Sequence, residues 1–155
     1  MIFRPFYYFD TGCAAYVFGC GGLGLGAVVD PQERDVDSYL EFAQSKGLRL
    51  THVFETHVHA DHRSGGRLLA EKTGASYCLH RSADVAFSFT PLHDSQQVEL
   101  GNTRLTVLHT PGHTPESVAQ APRRPGRWRR SRRPGGTRAP TPRRTTGRGP
   151  TPSRR

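Results

Sequence analysis

The sequence predicts an α/β (α+β) fold over residues 1–118, followed by an Arg-, Pro- and Gly-rich tail without regular structure over residues 119–155. In the first region, short segments rich in β-branched and aromatic residues alternate with segments of helical periodicity. Histidine-rich motifs follow two of the predicted strands. The last 37 residues contain no Ile, Leu, Val, Met or Phe. Such a segment cannot bury enough apolar surface to offset the entropy lost on ordering.

The predicted elements have clear start and stop signals. Asp35 and Ser64 occupy positions typical of helix N-caps, and Gly47 and Gly74 follow the predicted helices. A glycine-rich segment at residues 19–26 contains G-x-G-x-x-G. A short strand rather than a helix follows it, so it predicts a hairpin turn and not a dinucleotide site. We predict strands at residues 2–9, 14–18, 27–31, 48–54, 75–79, 98–100 and 103–109, and helices at residues 36–46 and 65–73.

The sequence THVHADH, at residues 56–62, follows the predicted strand that ends at Phe54. It gathers three imidazoles and a carboxylate, which are ligands of zinc and iron. Irregular backbone after a strand allows neighbouring side chains to converge on one point, whereas a strand would alternate them between two faces. The motif therefore predicts a metal site, and the alternative is a solvated polar loop. The candidate ligands are His57, His59, Asp61 and His62.

The charged residues are unevenly distributed. All 13 acidic residues lie at or before Glu116, and 13 of the 22 basic residues, all of them Arg, lie after residue 118. The formal net charge of +9 therefore belongs to the tail. Three cysteines, an odd number without C-x-x-C spacing, favour a reducing compartment over a disulfide framework. Without a signal-peptide pattern or an apolar stretch of membrane-spanning length, we expect a cytoplasmic protein with no membrane partner.

A further histidine follows the predicted hairpin, in HTPGHTPES at residues 109–117. Together the two motifs resemble the signature of the metallo-β-lactamase superfamily, an H-x-H-x-D-H loop followed later by a histidine in a G-H-T turn. The resemblance covers residues 1–118 and implies the N-terminal half of an αββα sandwich, with the C-terminal half missing. It adds His113 to the candidate metal ligands and implies a metal-dependent enzyme.

Within the superfamily, the segments ETHVHADH, VVDP and HTPGHTPES look most like the persulfide dioxygenases and their relatives fused to rhodanese domains. This resemblance implies oxidation of glutathione persulfide, with His57 and His113 as two ligands of a single Fe(II). His59, Asp61 and His62 would then orient those ligands.

Glyoxalase II is similar in the same motifs, and it implies hydrolysis of a glutathione thioester at Zn(II). His57, His59 and His113 would hold one ion, and Asp61 with His62 would contribute to a second. Both resemblances imply a small thiol-derived substrate. Asp61 is the candidate catalytic residue.

The chain departs from the family in one respect. Both chemistries use an aspartate after the G-H-T turn, whereas this chain has no aspartate after Asp94 and no histidine after His113. We therefore expect the chain as printed to be inactive, and a metal-binding remnant without catalysis is the alternative description. The change of composition after Ser117 favours a reading-frame shift near Val118, because the tail uses residues that GC-rich codons supply. The first sheet would then lack the layer that covers it.

The tail also permits a different class of function. Seven arginines surround Trp128, and a basic run with one stacking aromatic would bind nucleic acid or another polyanion in a salt-dependent way. Translated GC-rich sequence has the same composition without any selected function, so we expect nonspecific binding only. The arginines are Arg123, Arg124, Arg127, Arg129, Arg130, Arg132 and Arg133.

Overall fold

The structure is a computed structural model that describes residues 1–123. This region contains nine strands, two α-helices and a single 3-10 turn at Glu33–Asp35. The strands are β1 (Ile2–Tyr8), β2 (Cys13–Cys20), β3 (Leu25–Val29), β4 (Arg49–Phe54), β5 (Ser76–His80), β6 (Thr90–Leu92), β7 (Gln97–Leu100), β8 (Thr103–His109) and β9 (Val118–Arg123), and the helices are α1 (Val36–Ser45) and α2 (Gly66–Thr73).

Six strands form one mixed sheet in the order β1-β2-β3-β4-β5-β6. β1 to β3 pair antiparallel, and β3 to β6 pair parallel. Because parallel strands end at the same edge of a sheet, Asp30 after β3 and Glu55 after β4 lie near each other. The start of β2 lies at this edge as well, since β2 runs antiparallel to β3. Cys13 and the THVHADH loop therefore share one edge of the sheet.

The two faces of this sheet are covered by different layers. The helices cover one face, in a core that includes Val28 and Val53. A second, antiparallel sheet of order β7-β8-β9 covers the other face, where Phe54 packs in one core with Leu105 and Val107. Val53 and Phe54 belong to opposite cores because successive side chains of a strand alternate between its faces. The layers are thus helices, sheet and sheet, which confirms the predicted α/β class.

The second sheet corrects one expectation. The sequence predicts that the first sheet lacks its covering layer, but Leu100, Leu105 and Val107 of the second sheet are each 0 % exposed. The predicted hairpin of β7 and β8 supplies these side chains through its alternating pattern of buried and exposed residues. A covering layer is therefore present within residues 1–123.

Two strands lie where the sequence predicts none. β9 takes in the first residues of the predicted tail, and it pairs with β8 from Val118 opposite His109 to Arg123 opposite Arg104. Main-chain pairing needs no apolar side chains, so composition does not reveal it. β6 contains Pro91, which an edge strand tolerates because one N–H group there needs no partner strand. The remainder of the predicted tail, residues 124–155, lies outside the described residues.

The glycine-rich segment forms the predicted hairpin between β2 and β3. The N–H of Gly24 donates to the Cys20 carbonyl at 2.8 Å, and Gly24 has a positive φ of 62°. A Cβ atom at this position would also meet the Gly47 carbonyl oxygen at 2.8 Å. Both its backbone conformation and its close neighbour therefore favour glycine here.

The helix α1 packs through Val36, Tyr39 and Ala43, whereas Leu40, which the sequence places on the buried face, is only half-buried. Tyr39 contributes more than packing, since its hydroxyl accepts the main-chain N–H of Gln32 at 3.0 Å. Asp35 occupies the N-cap position, but its side chain makes no capping hydrogen bond. Among residues 1–123, neither helix combines the length and the apolar character needed to cross a membrane.

Candidate metal centre

The THVHADH loop is fixed to both sheets. The Asp30 carboxylate, at the end of β3, accepts hydrogen bonds from the main-chain N–H and the hydroxyl of Thr56, at 2.6 and 2.9 Å. Glu116, just before β9, accepts the N–H of Val58 at 2.9 Å. The N–H of Val118 donates to the Thr56 carbonyl at 2.8 Å. Contacts from distant parts of the chain thus hold the backbone of the loop in place.

Four imidazoles meet at this loop. The ring centroid of His57 lies 4.1 Å from that of His59 and 4.8 Å from that of His113. The rings of His59 and His62 are 4.3 Å apart. Because Asp61 contacts His62, the structure brings all five candidate ligands into one cluster. Their role as ligands stays a prediction from their chemistry and from the resemblance.

Two carboxylates face one nitrogen of His59. Its Nε2 lies 3.1 Å from Asp30 Oδ1 and 3.3 Å from Glu55 Oε2, and the side chain is 6 % exposed. Burial disfavours the imidazolium, but the two carboxylates outweigh it and raise the pKa of His59 to about 10. A metal ion would take the place of the proton on Nδ1 and leave the Nε2–H facing the carboxylates. Outer carboxylates commonly fix ligand imidazoles in this way.

Asp61 contacts two side chains. Its Oδ2 accepts a hydrogen bond from Cys13 Sγ at 3.1 Å, and its Oδ1 lies 3.0 Å from His62 Nδ1. The Cys13 thiol has the largest effect, and His62 adds to it, in lowering the pKa of Asp61 to about 2. Asp61 is therefore a carboxylate at neutral pH. The sequence assigns no chemistry to Cys13, whereas the structure places its sulfur in the cluster.

The donor set fits a divalent transition-metal ion such as Zn(II) or Fe(II). His57 Nδ1 is paired with the Thr56 hydroxyl at 2.9 Å, which leaves Nε2 of His57 available to bind a metal ion. The Nε2 of His62 is buried and has no hydrogen-bond partner within the described residues. A buried polar atom without a partner costs free energy, and a metal ion would satisfy it. Imidazole and carboxylate donors are the usual ligands of both ions.

The contacts of Asp30 predict a loss of metal affinity when its charge is removed. We expect Asp30→Asn to bind zinc about 10- to 100-fold more weakly, because His59 loses an anionic partner and Thr56 loses one acceptor. Asparagine is the suitable substitute since residue 30 has a positive φ of 49°, which Asn tolerates. Competition with a chromophoric chelator measures the affinity. The matched control is Asp37→Asn, an exposed carboxylate paired with Lys72 on the helical face, for which an equal loss would contradict the assignment.

A cavity of about 480 Å³ opens beside the imidazoles. His57 and His59 line it together with Arg67, Tyr77 and Phe87. The Arg67 guanidinium lies 4.6 Å from the centroid of the Phe87 ring, a cation–π distance. The cavity thus combines candidate metal ligands, aromatic surface and a cation, which suits a small organic anion.

The residues that sequence reasoning missed support the ligands. Glu55 is 1 % exposed, accepts the hydroxyl of Ser64 and contacts His59, and burial raises the pKa of Glu55. In the sequence, Glu55 stands between an apolar strand and the histidine motif, and this position could have identified it as a residue of the site. Asp30 stands in the VVDP segment, to which the sequence motifs assign no role. Cys13 gave no signal, because 48 residues separate it from Asp61.

The fold and this cluster define the class of protein. The family model of the metallo-beta-lactamase superfamily matches residues 10–121. The chain therefore belongs to the metallo-β-lactamase superfamily, and its layers are those of the mixed α/β sandwich of that family. The resemblance drawn from the two histidine motifs is confirmed. The match continues to residue 121, beyond the predicted domain boundary at residue 118.

Similar proteins point to glutathione-related members of the superfamily. A probable hydroxyacylglutathione hydrolase of Schizosaccharomyces pombe is 32 % identical over 106 residues, which cover 67 % of this chain and 41 % of that protein. The chain thus spans about two-fifths of the length of this curated relative.

Solved structures agree with the fold. ETHE1 from Myxococcus xanthus is 31 % identical with a TM-score of 0.73, over 79 % of this chain and 54 % of that one. A metallo-beta-lactamase from Staphylococcus aureus is 36 % identical with a TM-score of 0.73, over 80 % of this chain and 39 % of that one.

Proposed function

We propose that this chain carries the metal-binding loop of an enzyme that acts on a small glutathione-derived substrate, and that the chemistry is thioester hydrolysis. One observation carries the choice of chemistry. A residue that only orients a ligand binds the outer nitrogen of that ligand. The outer nitrogen of His59 faces Asp30 and Glu55, whereas Asp61 Oδ1 lies 3.7 Å from Nδ1, the nitrogen left for a metal. Toward His59, Asp61 therefore lies where a ligand of the same ion would lie, whereas its 3.0 Å contact with His62 Nδ1 is that of a group that orients an imidazole.

A site with Asp61 as a ligand resembles the dinuclear hydrolases more than a mononuclear iron centre. His57, His59 and His113 would hold one ion, and Asp61 with His62 would contribute to the second. Ions bound there polarise a substrate carbonyl and acidify a water molecule. The similarity to a hydroxyacylglutathione hydrolase supports a glutathione thioester as the substrate.

The chain's own residues would position the site and the substrate. Asp30 and Glu55 would keep the proton of His59 on Nε2, which would leave Nδ1 available to hold an ion. The Arg67 guanidinium lines the cavity and would pair with a carboxylate of glutathione, and Phe87 and Tyr77 exclude water from one wall.

A persulfide dioxygenase is the second candidate. His57 and His113 are the two imidazoles that this chemistry requires, and their rings lie at 86° to each other with centroids 4.8 Å apart. This geometry is compatible with a single Fe(II) that also takes a carboxylate. The sequence motifs and the structural similarity to ETHE1 support this candidate.

The chain as printed lacks an aspartate after Asp94, so we propose that it binds metal without turnover. The change of composition after Ser117 supports a reading-frame shift near Val118. Translating the gene in the other frames downstream of Ser117 tests it, and we expect a strand ending in Gly-Asp in one of them. We also propose a cytoplasmic location and nonspecific polyanion binding by the tail, of which residues 124–155 lie outside the described residues.

The proposed chemistry predicts the activity of a chain in which the correct reading frame is restored downstream of Ser117. We call it the frame-restored chain. Loaded with zinc, it should hydrolyse S-lactoylglutathione, because two ions beside a cavity that Arg67 lines suit a glutathione thioester. Oxygen consumption with glutathione persulfide, by the iron-loaded chain, would instead favour the dioxygenase. The printed chain is the matched control and should give neither activity. A metal-free frame-restored protein would contradict both candidates.

A further inference from the structure

Cys13, which the family signature does not include, lies in one group of donors with Asp61 and His62 of the loop. Sγ of Cys13, a carboxylate oxygen of Asp61 and a ring nitrogen of His62 all lie within 4.8 Å of one another. We propose that Cys13 is a thiolate ligand of the second metal ion, together with Asp61 and His62. This inference rests on the proposed function of the loop as a metal centre.

The fold determines where the Cys13 sulfur lies. Cys13 is the first residue of β2 and pairs with Tyr8 of β1, so its backbone belongs to the six-stranded sheet. The antiparallel pairing of β2 with β3 puts this end of β2 beside the carboxyl end of β3. The side chain is therefore presented at the ligand edge by regular structure and not by a loose turn.

The distances are those of a coordination site before an ion binds. Zinc at about 2.3 Å from sulfur and about 2.0 Å from nitrogen or oxygen, in tetrahedral geometry, places its donor atoms about 3 to 4 Å apart. Cys13 Sγ is already 3.1 Å from Asp61 Oδ2, and a ring nitrogen of His62 lies within 4.8 Å of both groups. Small rotations of side chains would therefore suffice.

An independent observation comes from His62. Its side chain is only 8 % exposed, and the buried Nε2 has no hydrogen-bond partner among residues 1–123. With Nδ1 engaged by Asp61, the imidazole still offers one unpaired nitrogen in a polar cluster. A buried imidazole nitrogen without a protein partner needs a water molecule or an ion, and the donors beside His62 favour an ion.

Charge and ligand type indicate the ion. One thiolate and one carboxylate together neutralise a divalent cation, and a neutral imidazole completes a three-residue set with an open fourth position. Sulfur favours zinc or cobalt over hard cations such as magnesium. The other two cysteines are not alternatives, since Cys20 and Cys78 are buried in the strands, and burial raises the pKa of Cys78 to about 12.

Cobalt(II) substitution of the full chain tests the proposal. A thiolate ligand of cobalt gives a sulfur-to-metal charge-transfer band in the near ultraviolet, which imidazole and carboxylate ligands do not give. We expect this band in the wild-type chain and in Cys78→Ala, and its loss in Cys13→Ser. Serine keeps a hydrogen bond to Asp61 but removes the sulfur. The second equivalent of zinc should also bind about tenfold more weakly to Cys13→Ser.

The outcomes separate this inference from the proposed function. Metal binding to the wild-type chain without the charge-transfer band would overturn the role of Cys13 and leave the histidine site standing. Persistence of the band in Cys13→Ser would overturn it as well. A wild-type chain that binds no metal at all would defeat the proposed function itself.

Discussion

Replacing His57 with alanine is expected to lower the zinc or iron content of the chain by one ion, the one that the histidines would hold. His57 is a ligand in both candidate chemistries, and its ring contacts those of His59 and His113, so its loss opens the middle of the cluster. A structural metal site that loses one of its few ligands loses most of its binding free energy. Elemental analysis of the purified chain after dialysis against metal-free buffer measures the bound ion per chain.

His93→Ala is the matched control for that substitution. His93 is an exposed histidine between β6 and β7, and it is not one of the residues that form the cluster. The metal content of this variant should equal that of the wild-type chain. If His57→Ala kept the full metal content of the wild-type chain, or if both variants lost metal equally, the imidazole cluster would not be the binding site.

Replacing Leu105 with alanine is expected to lower the free energy of unfolding by about 2 to 5 kcal/mol. Leu105 lies on the inner face of β8, is 0 % exposed, and belongs to the core between the two sheets. A loss of this size is a large part of the total stability of an ordinary domain, about 5 to 15 kcal/mol. Urea denaturation followed by circular dichroism measures the change.

Leu108→Ala tests the same strand and the same substitution on a more exposed position. Leu108 is 41 % exposed, so its truncation should cost less than about 1 kcal/mol. Equal effects at the two positions would show that the second sheet does not pack on the first as described. Such a result would support the sequence-based expectation of an uncovered first sheet.

The candidate ligands in the loop could be identified from the sequence because they are neighbours in the chain. His57, His59, Asp61 and His62 stand within one loop, so their chemistry is visible without any fold. The groups around them could not be predicted in the same way. Asp30 reaches His59 only because β3 lies beside β4 in the sheet, and Cys13 reaches Asp61 only because β2 is antiparallel to β3. Sequence order contains neither fact.

The strands and helices likewise fall into those that the sequence predicts and those that it does not. The helix α1 and the buried strand β4 were predictable because their side chains follow a period or form an apolar run. Pro91 concealed β6, since proline argues against a strand unless that strand is known to be at an edge. β9 was concealed by its composition, because its partner β8 holds it through main-chain hydrogen bonds. Only the arrangement of strands in space identifies such elements.

The hydrogen bonds at Thr56 connect the loop to Asp30 of the first sheet and to Val118 of the second. An ion held by this loop is therefore thermodynamically linked to the docking of one sheet on the other. At a free metal concentration 100 times its dissociation constant, the linkage would add about 2.7 kcal/mol to the stability of the docked form. By the same linkage, any change that separates the sheets weakens metal binding, so a chelator and a denaturant should each make the chain more sensitive to the other.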